Sequence, residues 1–252
     1  MSKFKGKLIA SGSNAKTVKG DEASDYETAI MYLAPHESAG GANVCPMANL
    51  ASCVEGCLNT AGRAGMFANI PEGRKRKTRL YHGDRAAFMA TLHRDITRFA
   101  AWCARRGRFP AVRLNGTSDI QWERGHSYTV DGIRYDSIMA AFPQVTFYDY
   151  TKIAARLSRM PKNYFLTLSY SGANPKYTNT ITPWVQAGVA NMAVVFRTKA
   201  RAALAIENGW EGYPAVDGDS TDLRFLDPEG GHVVALYAKG KAKHDHSGFV
   251  VD

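Results

Sequence analysis

The feature that most constrains the fold is a repeated alternation of short apolar runs and helix-like stretches. Each run is rich in β-branched or aromatic residues, ends in polar residues and precedes a stretch with helical character. The runs lie at 28–36, 111–119, 144–152, 164–172, 192–198, 213–219 and 232–240, and the helical stretches at about 83–106, 151–159, 181–190 and 199–208. This alternation predicts a parallel sheet whose strands are joined by helical crossovers.

The number of strands and the character of the loops favour a barrel. Seven strands are predicted, and the glycine-rich turn of a dinucleotide-binding sheet is absent from the sequence. We therefore predict an α/β fold, a full or partial (β/α) TIM-like barrel, formed by a single domain over residues 1–252. Residues 1–25 are predicted to be an N-terminal extension and residues 241–252 a C-terminal tail.

The composition is that of a folded protein without a membrane span. Hydrophobic residues make up 45% of the 252 residues and aromatic residues 11%, which is enough for a full core. No apolar run approaches the roughly 20 residues that cross a bilayer. The apolar stretch at the N-terminus is too short for a signal peptide. We expect a cytoplasmic protein, in which thiols stay reduced.

Cys45, Cys53 and Cys57 crowd into the loop predicted after the first strand. Thiolates held on one loop are the ligands that an iron–sulfur cluster or a zinc ion needs. The spacing C-x7-C-x3-C matches neither a zinc ribbon nor a bacterial ferredoxin. We predict a [4Fe–4S] cluster with one position left open. The alternatives are zinc, with His36 as the fourth ligand, and cysteines without a ligand role.

The remaining cysteine, Cys103, belongs to a different pattern. It closes an apolar stripe at three- and four-residue intervals, formed by Phe88, Leu92, Ile96, Phe99 and Cys103. Such a stripe is typical of a helix that packs against a core. We predict a core cysteine, with a role as fourth cluster ligand as the lesser alternative.

Polar residues follow most of the predicted strands. In a parallel α/β sheet, active groups gather at the carboxyl ends of the strands, so these residues predict a polar cavity there. The catalytic candidates are Arg113, Asn115, Asp119, Lys152, Arg197 and Asp217, and the cofactor-binding candidates are Asn115, Ser169 and Arg197. The cysteine loop would emerge at the same side of the sheet.

The formal net charge of +9 is concentrated in two basic segments, Arg74–Arg79 and Arg105–Arg108. Such segments attract nucleic acid or another anionic partner. A solvated basic surface is the alternative interpretation. We name Arg74–Arg79 as the segment that would contact nucleic acid or a host protein.

An acidic run, Asp217, Asp219, Asp222 and Asp227, follows the predicted strand at 213–219. These carboxylates could chelate Mg²⁺, as in a nuclease, although the spacing is not that of an EF-hand loop. Turn capping and pairing with Arg224 are the alternative explanation.

The motifs CLNTAGR, RLNGTSD and VDGDxxDLRFLDP resemble those of a family of uncharacterised bacteriophage proteins. The resemblance covers nearly the whole chain. It implies expression inside an infected bacterium, and so a location in the host cytoplasm, but it implies no established activity.

A cysteine loop after the first strand of a barrel is also similar to the radical S-adenosylmethionine enzymes. In that superfamily three cysteines hold a [4Fe–4S] cluster whose fourth iron binds the cofactor, which implies a ligand role for Cys45, Cys53 and Cys57. The usual spacing there is C-x3-C-x2-C with an aromatic residue before the last cysteine. Here the gaps are seven and three, and Gly56 precedes Cys57.

These observations lead to three competing functions. The first is an iron–sulfur phage protein, radical-SAM-like if it is an enzyme, with S-adenosylmethionine as its cofactor. The second is a non-catalytic cluster protein that binds nucleic acid or a host partner through its basic surface. The third is a zinc-stabilised fold or a metal-dependent nuclease.

Overall fold

The computed structural model describes residues 3–57 and 63–252. Helices and short strands alternate along most of this length. In chain order they are β1 (Ile9–Ser11), α1 (Ala15–Glu22), β2 (Tyr26–Met31), α2 (Arg63–Met66), α3 (Asn69–Gly83), α4 (Arg85–Ala104), β3 (Phe109–Arg113), β4 (Tyr128–Val130), β5 (Ile133–Tyr135), α5 (Ile138–Ala141), β6 (Thr146–Thr151), β7 (Tyr164–Ser169), α6 (Pro175–Gln186), β8 (Met192–Phe196), α7 (Lys199–Asn208), β9 (Ala215–Asp217) and β10 (Val233–Tyr237). Short 3-10 helices lie at Ala154–Arg159, Arg224–Leu226 and Gly240–His244.

The central sheet has eight strands in the order β1-β2-β3-β6-β7-β8-β10-β9. Strand β1 is antiparallel to β2. The pairs β2–β3, β3–β6, β7–β8, β8–β10 and β9–β10 are parallel. From β2 to β8 each new strand of this sheet lies beside the preceding one, as expected where helical crossovers join parallel neighbours. The predicted α/β class with a mostly parallel sheet is confirmed.

The described strands do not close into a full barrel. The sheet is open, with β1 and β9 at its edges. Closure requires the first and last strands to pair along their length. Here each edge strand has three residues, and β1 joins the sheet antiparallel to its neighbour. The prediction of a full barrel is therefore corrected to an open sheet.

The predicted strands all occur, at slightly different bounds. Each of the seven apolar runs contains or overlaps one of β2, β3, β6, β7, β8, β9 and β10. Among the inner strands, β8 is almost wholly buried, as expected where a parallel sheet is covered on both faces. Helices α4 and α7 lie where helical periodicity placed them, and the stripe from Phe88 to Cys103 is fully buried.

The sequence analysis missed several elements, among them α1, α3 and the hairpin β4–β5. The hairpin had a signal, the Asp131-Gly132 pair inside YTVDGIRY. Both residues have positive φ angles, 50° and 79°, as a two-residue type I′ turn requires. The hairpin forms a separate two-stranded sheet with Tyr128 opposite Tyr135.

The described chain divides into two compact units that interleave in sequence. Unit 1 comprises the described parts of Met1–Val44, Glu72–Asp149 and Arg159–Phe165, and unit 2 those of Cys45–Pro71, Tyr150–Ser158 and Leu166–Asp252. The core of unit 2 packs β7, β8 and β10 against α6 and α7, with Leu168, Val194 and Val233 at its centre. Whether the units fold as the predicted single domain stays a prediction.

Both ends of the described chain are integrated into the units. The predicted extension 1–25 contains β1, which pairs with β2, and α1. The predicted tail 241–252 contains buried residues, Phe249 and Val250 among them. Val251 forms a parallel bridge with Phe196 of β8.

Candidate functional site at the strand ends

In unit 1, Asn115 organises the loop after β3. Its side-chain oxygen accepts hydrogen bonds from Ser118 Oγ (2.8 Å), the Ile120 amide (3.0 Å) and Trp122 Nε1 (3.1 Å). Its Nδ2 donates to the Ile120 carbonyl (3.0 Å) and to Asp149 Oδ2 (3.2 Å). An amide has two donor hydrogens and one acceptor oxygen, so its capacity is used within the unit. The predicted catalytic and cofactor-binding roles of Asn115 remain predictions. In the structure its side chain is buried and holds the loop after β3 together, and we call this set of hydrogen bonds the Asn115 clamp.

Asp149 is the buried carboxylate of this network, and the sequence analysis did not select it. It is fully buried near the carboxyl end of β6. It accepts hydrogen bonds from the Asn115 amide (2.8 Å) and from the Tyr164 hydroxyl (2.7 Å), and Arg113 Nε lies 3.9 Å away. The available signal was a carboxylate inside the otherwise apolar and aromatic run TFYDYT, because a buried charge is retained only where donors surround it.

The loop that contains Asn115 passes very close to β2. The Gly116 amide donates to the Met31 carbonyl at 3.0 Å, and the Thr117 hydroxyl donates to the Leu33 carbonyl at 2.6 Å. A Cβ atom at Gly116 would lie 2.6 Å from the Met31 oxygen, so a glycine is required. The buried candidate Asp119 lies in the same loop, where its amide donates to the Val44 carbonyl.

A buried histidine that the sequence analysis did not discuss also lies in unit 1. His126 Nδ1 is 2.5 Å from the Arg124 carbonyl, and because a carbonyl only accepts, Nδ1 carries the proton. Nε2 then accepts from the Tyr81 hydroxyl at 2.9 Å. Burial lowers the pKa of His126, which keeps the ring neutral. The Arg85 guanidinium lies 3.5 Å from the centre of the Tyr81 ring.

In unit 2, the cysteine loop is anchored at its middle to the ends of the strands. Ala51 is fully buried, and its carbonyl accepts from the Ser171 hydroxyl, after β7, at 2.7 Å. The Ser52 carbonyl accepts from the Ser247 hydroxyl at 3.0 Å. Ser52 has a φ of 49°, which reverses the chain there. Within unit 2, the middle of the loop thus lies just past the carboxyl end of β7.

None of the three cysteines on this loop forms a disulfide bond. Cys45, Cys53 and Cys57 are half-buried, and Cys53 packs against the apolar cluster of Ala238, Ala242, Phe249 and Val250. Across residues 3–57 and 63–252, no group of three or more histidine, cysteine, aspartate or glutamate side chains is arranged to hold a metal ion. The described conformation therefore does not fit a cluster. The rest of the CLNTAGR motif after Cys57 falls on residues 58–62, outside the described residues, and on Arg63.

The other ligand candidates occupy different environments. His36, in unit 1, has a φ of 53° at the turn after β2, and its carbonyl accepts from the Val44 amide. Cys103 is fully buried in α4, and burial raises the pKa of its thiol to about 12. At neutral pH this thiol is therefore protonated, and a buried, protonated thiol is neither a nucleophile nor a metal ligand.

Lys152, Ser169 and Arg197 lie at or just after the carboxyl ends of β6, β7 and β8. Lys152 Nζ donates to Ser169 Oγ at 2.8 Å, and the Phe249 ring centre lies 5.2 Å from the ammonium group. Arg197 pairs with Asp252 Oδ1 at 2.7 Å. Each of the three side chains is half-buried. This is the surface in unit 2 where cations, a hydroxyl group and the cysteine loop meet the strand ends.

Three carboxylates of the acidic run form hydrogen bonds or ion pairs with nearby residues. Asp217, a catalytic candidate, is exposed and accepts from the Asp219 amide at 2.7 Å. Asp219 pairs with Lys239 at 2.6 Å. Asp227 lies 3.3 Å from Arg224, and burial raises the pKa of Asp227 to about 6. Turn capping and ion pairing account for these three carboxylates.

The basic segment Arg74–Arg79 lies on α3, and most of it is engaged in unit 1. Lys77 Nζ donates to the Leu8 carbonyl at 2.7 Å, and burial lowers its pKa to about 8. Arg74 lies 4.8 Å from the centre of the Tyr32 ring, and Lys75 pairs with Glu72. Arg76 and Arg79 are the exposed side chains, and Arg79 Nε contacts the Ala39 carbonyl. The charge open to a partner is thus smaller than the sequence suggests.

Fold and site together define a mixed α/β protein with a mostly parallel sheet and polar side chains at its strand ends. In the described part of the chain, no helix is long and apolar enough to cross a membrane. A family model described as Gene product 88 matches residues 6–252, so the chain belongs to the Gene product 88 family. The match is consistent with the phage-type family predicted from the motifs. No curated protein and no solved structure matches the chain.

Proposed function

We propose that this protein is an iron–sulfur protein whose cluster binds at the strand ends of unit 2 through Cys45, Cys53 and Cys57. The observation that supports the proposal is the anchoring of the cysteine loop beside β7, through the bond between Ser171 and the Ala51 carbonyl. The three cysteines on this loop are half-buried, so iron and sulfide could reach them without unfolding of the core.

Cluster loading would require the loop to change shape. Ala51 and the Ser52 carbonyl are held by hydrogen bonds, whereas the cysteines lie on either side of this anchor. Metal binding supplies free energy that can reorganise a loop. Because the described conformation does not gather the sulfur atoms, we derive no chemical step through the cluster. The enzymatic, radical-SAM-like form of the proposal and a partial barrel around the site remain part of this hypothesis.

The test is the iron and acid-labile sulfide content of protein purified without oxygen. The alanine variants of Cys45, Cys53 and Cys57 should each lose the cluster, because each removes one thiolate ligand. Cys103→Ala is the matched control and should retain it, because Cys103 is buried in α4. Protein that contains stoichiometric zinc, or neither metal, would refute the proposal. Release of 5′-deoxyadenosine from added S-adenosylmethionine, under strong reduction, tests the enzymatic form.

A second candidate function is binding of nucleic acid through α3. The observation that favours it is the exposure of Arg76 and Arg79 on one helix. Binding should weaken steeply with added salt, because phosphate contacts release counterions. Changing Arg76 and Arg79 together to glutamine should reduce the affinity at low salt and make its dependence on salt less steep.

The control for this change removes the same amount of charge elsewhere. Lys241 and Lys243 are exposed and lie outside α3, so changing both to glutamine lowers the net charge equally. This control should retain most of the affinity if α3 is the contact surface. Equal losses in the two double variants would show that only net charge matters. Binding that is undetectable or insensitive to salt would exclude this candidate.

A further inference from the structure

Residues 245–252, which we call the strap, lie along the strand ends of unit 2 in the manner of a bound peptide. The Val251 amide donates to the Val195 carbonyl at 2.8 Å, and the Arg197 amide donates to the Val251 carbonyl at 2.7 Å. These bonds give Val251 a parallel bridge with Phe196, so the strap lies beside the last residues of β8, as an added strand would. Strand addition of this kind is a common mode of peptide recognition.

The main chain of the strap is also held on the side of β7. The Gly172 amide, in the loop after β7, donates to the Gly248 carbonyl at 3.0 Å. Gly248 has a φ of 90°, and a Cβ atom there would lie 2.9 Å from Ala173. The close approach therefore requires glycine at this position, because any side chain would separate the strap from the loop.

The side chains of the strap cover the functional candidates of unit 2. Phe249 and Val250 are buried in the apolar cluster that packs against Cys53. The Phe249 ring faces Lys152, and a Cβ atom at Gly56 would lie 3.1 Å from this ring. At the end of the strap, the Asp252 carboxylate binds Arg197. Aromatic, aliphatic and acidic groups thus follow one another along a few residues, each with its own contact.

We propose that the strap is a releasable intramolecular peptide ligand that shields the strand-end surface of unit 2. Its release would uncover Cys53, Lys152 and Arg197 together and leave a surface that accepts an extended peptide with an aromatic residue ahead of a carboxylate. The significance of this surface rests on the proposed function, but the release itself does not depend on a cluster.

The contacts that hold the strap are of a kind that can open without unfolding the unit. They comprise a few main-chain hydrogen bonds, the bonds from Ser247 to the Ser52 carbonyl and from Arg197 to the Asp245 carbonyl, apolar packing of Phe249, Val250 and Val251, and an ion pair with an exposed carboxylate. Segments with few buried contacts open at free energies well below that of global unfolding. Val251 of the strap packs against the core of unit 2, but the buried residues of that core, Leu168 and Val194 among them, all lie outside the strap, so we expect it to remain packed when the strap leaves.

The experiment measures the alkylation rate of each cysteine in reduced, metal-free protein, by iodoacetamide labelling and mass spectrometry. Val251→Pro removes the amide that donates to Val195, and it should raise the rate of Cys53 about fivefold, the factor expected for one main-chain hydrogen bond. Cys103, fully buried in α4, should stay unreactive. Lys241→Ala, an exposed change just ahead of the strap, should leave all rates at the parent values.

A synthetic peptide with the strap sequence DHSGFVVD then tests whether the strap acts as a ligand. At millimolar concentration it should slow the labelling of Cys53 in Val251→Pro back toward the parent rate, and a scrambled peptide should not. An unchanged Cys53 rate in a folded Val251→Pro protein would overturn the proposal, as would a raised rate on which the peptide has no effect.

A second variant guards against global unfolding. If Cys103 becomes reactive in Val251→Pro, Asp252→Ala is used in its place, because it removes the ion pair with Arg197 at the end of the strap and leaves the side chains packed around Cys53 unchanged. The same outcomes then apply to Cys53. Since the protein carries no metal in these measurements, the strap can fail while the cluster proposal stands, and the reverse also holds.

Discussion

The Asn115 clamp in unit 1 allows a quantitative prediction. Asn115→Ala removes the acceptor for the Ile120 amide and for Trp122 Nε1, both of which belong to buried residues. A buried donor left without a partner costs about 1–3 kcal/mol, so the two together predict a loss of about 2–6 kcal/mol in the free energy of unfolding. Folded domains are stable by about 5–15 kcal/mol, so this is a large fraction of the total.

Urea unfolding followed by tryptophan fluorescence is a suitable assay for this change. Trp122 is fully buried and stacked on Phe88, with ring centres 6.0 Å apart, so its emission should report the loss of this packing. Ser118→Ala is the matched control. It removes one donor to Asn115 and leaves the other bonds in place, so it should cost about 1 kcal/mol. Equal unfolding midpoints for the two variants would refute the reasoning, because the clamp would then contribute no more than one hydrogen bond.

Two further predictions concern stability. Burial raises the pKa of Asp21 to about 6, with hydrogen bonds from Thr28 opposing the shift, so the folded state binds the proton more tightly than the unfolded state. The contribution of Asp21 to the free energy of unfolding is then present at low pH and is lost as the pH rises from about 4 to 6. Asp21→Asn should therefore flatten this part of the profile of unfolding free energy against pH. Parallel profiles for the variant and the parent protein would contradict this prediction. Gly116→Ala should lower the melting temperature, because the added Cβ would meet the Met31 carbonyl. Gly83→Ala is the control and should leave the melting temperature unchanged, because its Cβ would meet no atom within 4 Å. A similar loss in both variants would show that the close approach at Gly116 is unimportant.

The sequence predicted the secondary structure best where the pattern was local and strong. The apolar runs gave β8 and β10 closely, and the stripe from Phe88 to Cys103 gave the buried face of α4. The hairpin β4–β5 had a readable turn signal that the analysis did not use. Helix α3 was missed because charged residues dominate its composition and only two of its residues, Thr78 and Tyr81, are buried, so it has no apolar stripe to read.

The candidate site was predicted only in part. Placement of Lys152, Ser169 and Arg197 at strand ends follows from the direction of parallel strands, which the alternation of strands and helices implies. Asp149 and His126 were not identified, since their environments are made by residues distant in sequence, such as Tyr164 and Tyr81. The role of the strap was also hidden, because a short polar and aromatic segment near the end of the sequence carries no sign of its partner.

The sequence by itself determined that this protein has a parallel α/β sheet, which residues end its strands, and that Cys103 lies in a helix stripe facing the core. These properties depend on periodicity over neighbouring residues. Only the tertiary structure decided that the sheet stays open, that Lys77 donates a hydrogen bond to the Leu8 carbonyl, and that the strap packs against Cys53. The physical reason is that these outcomes depend on contacts between residues far apart in the chain, whose free energy is set by three-dimensional packing and has no local pattern.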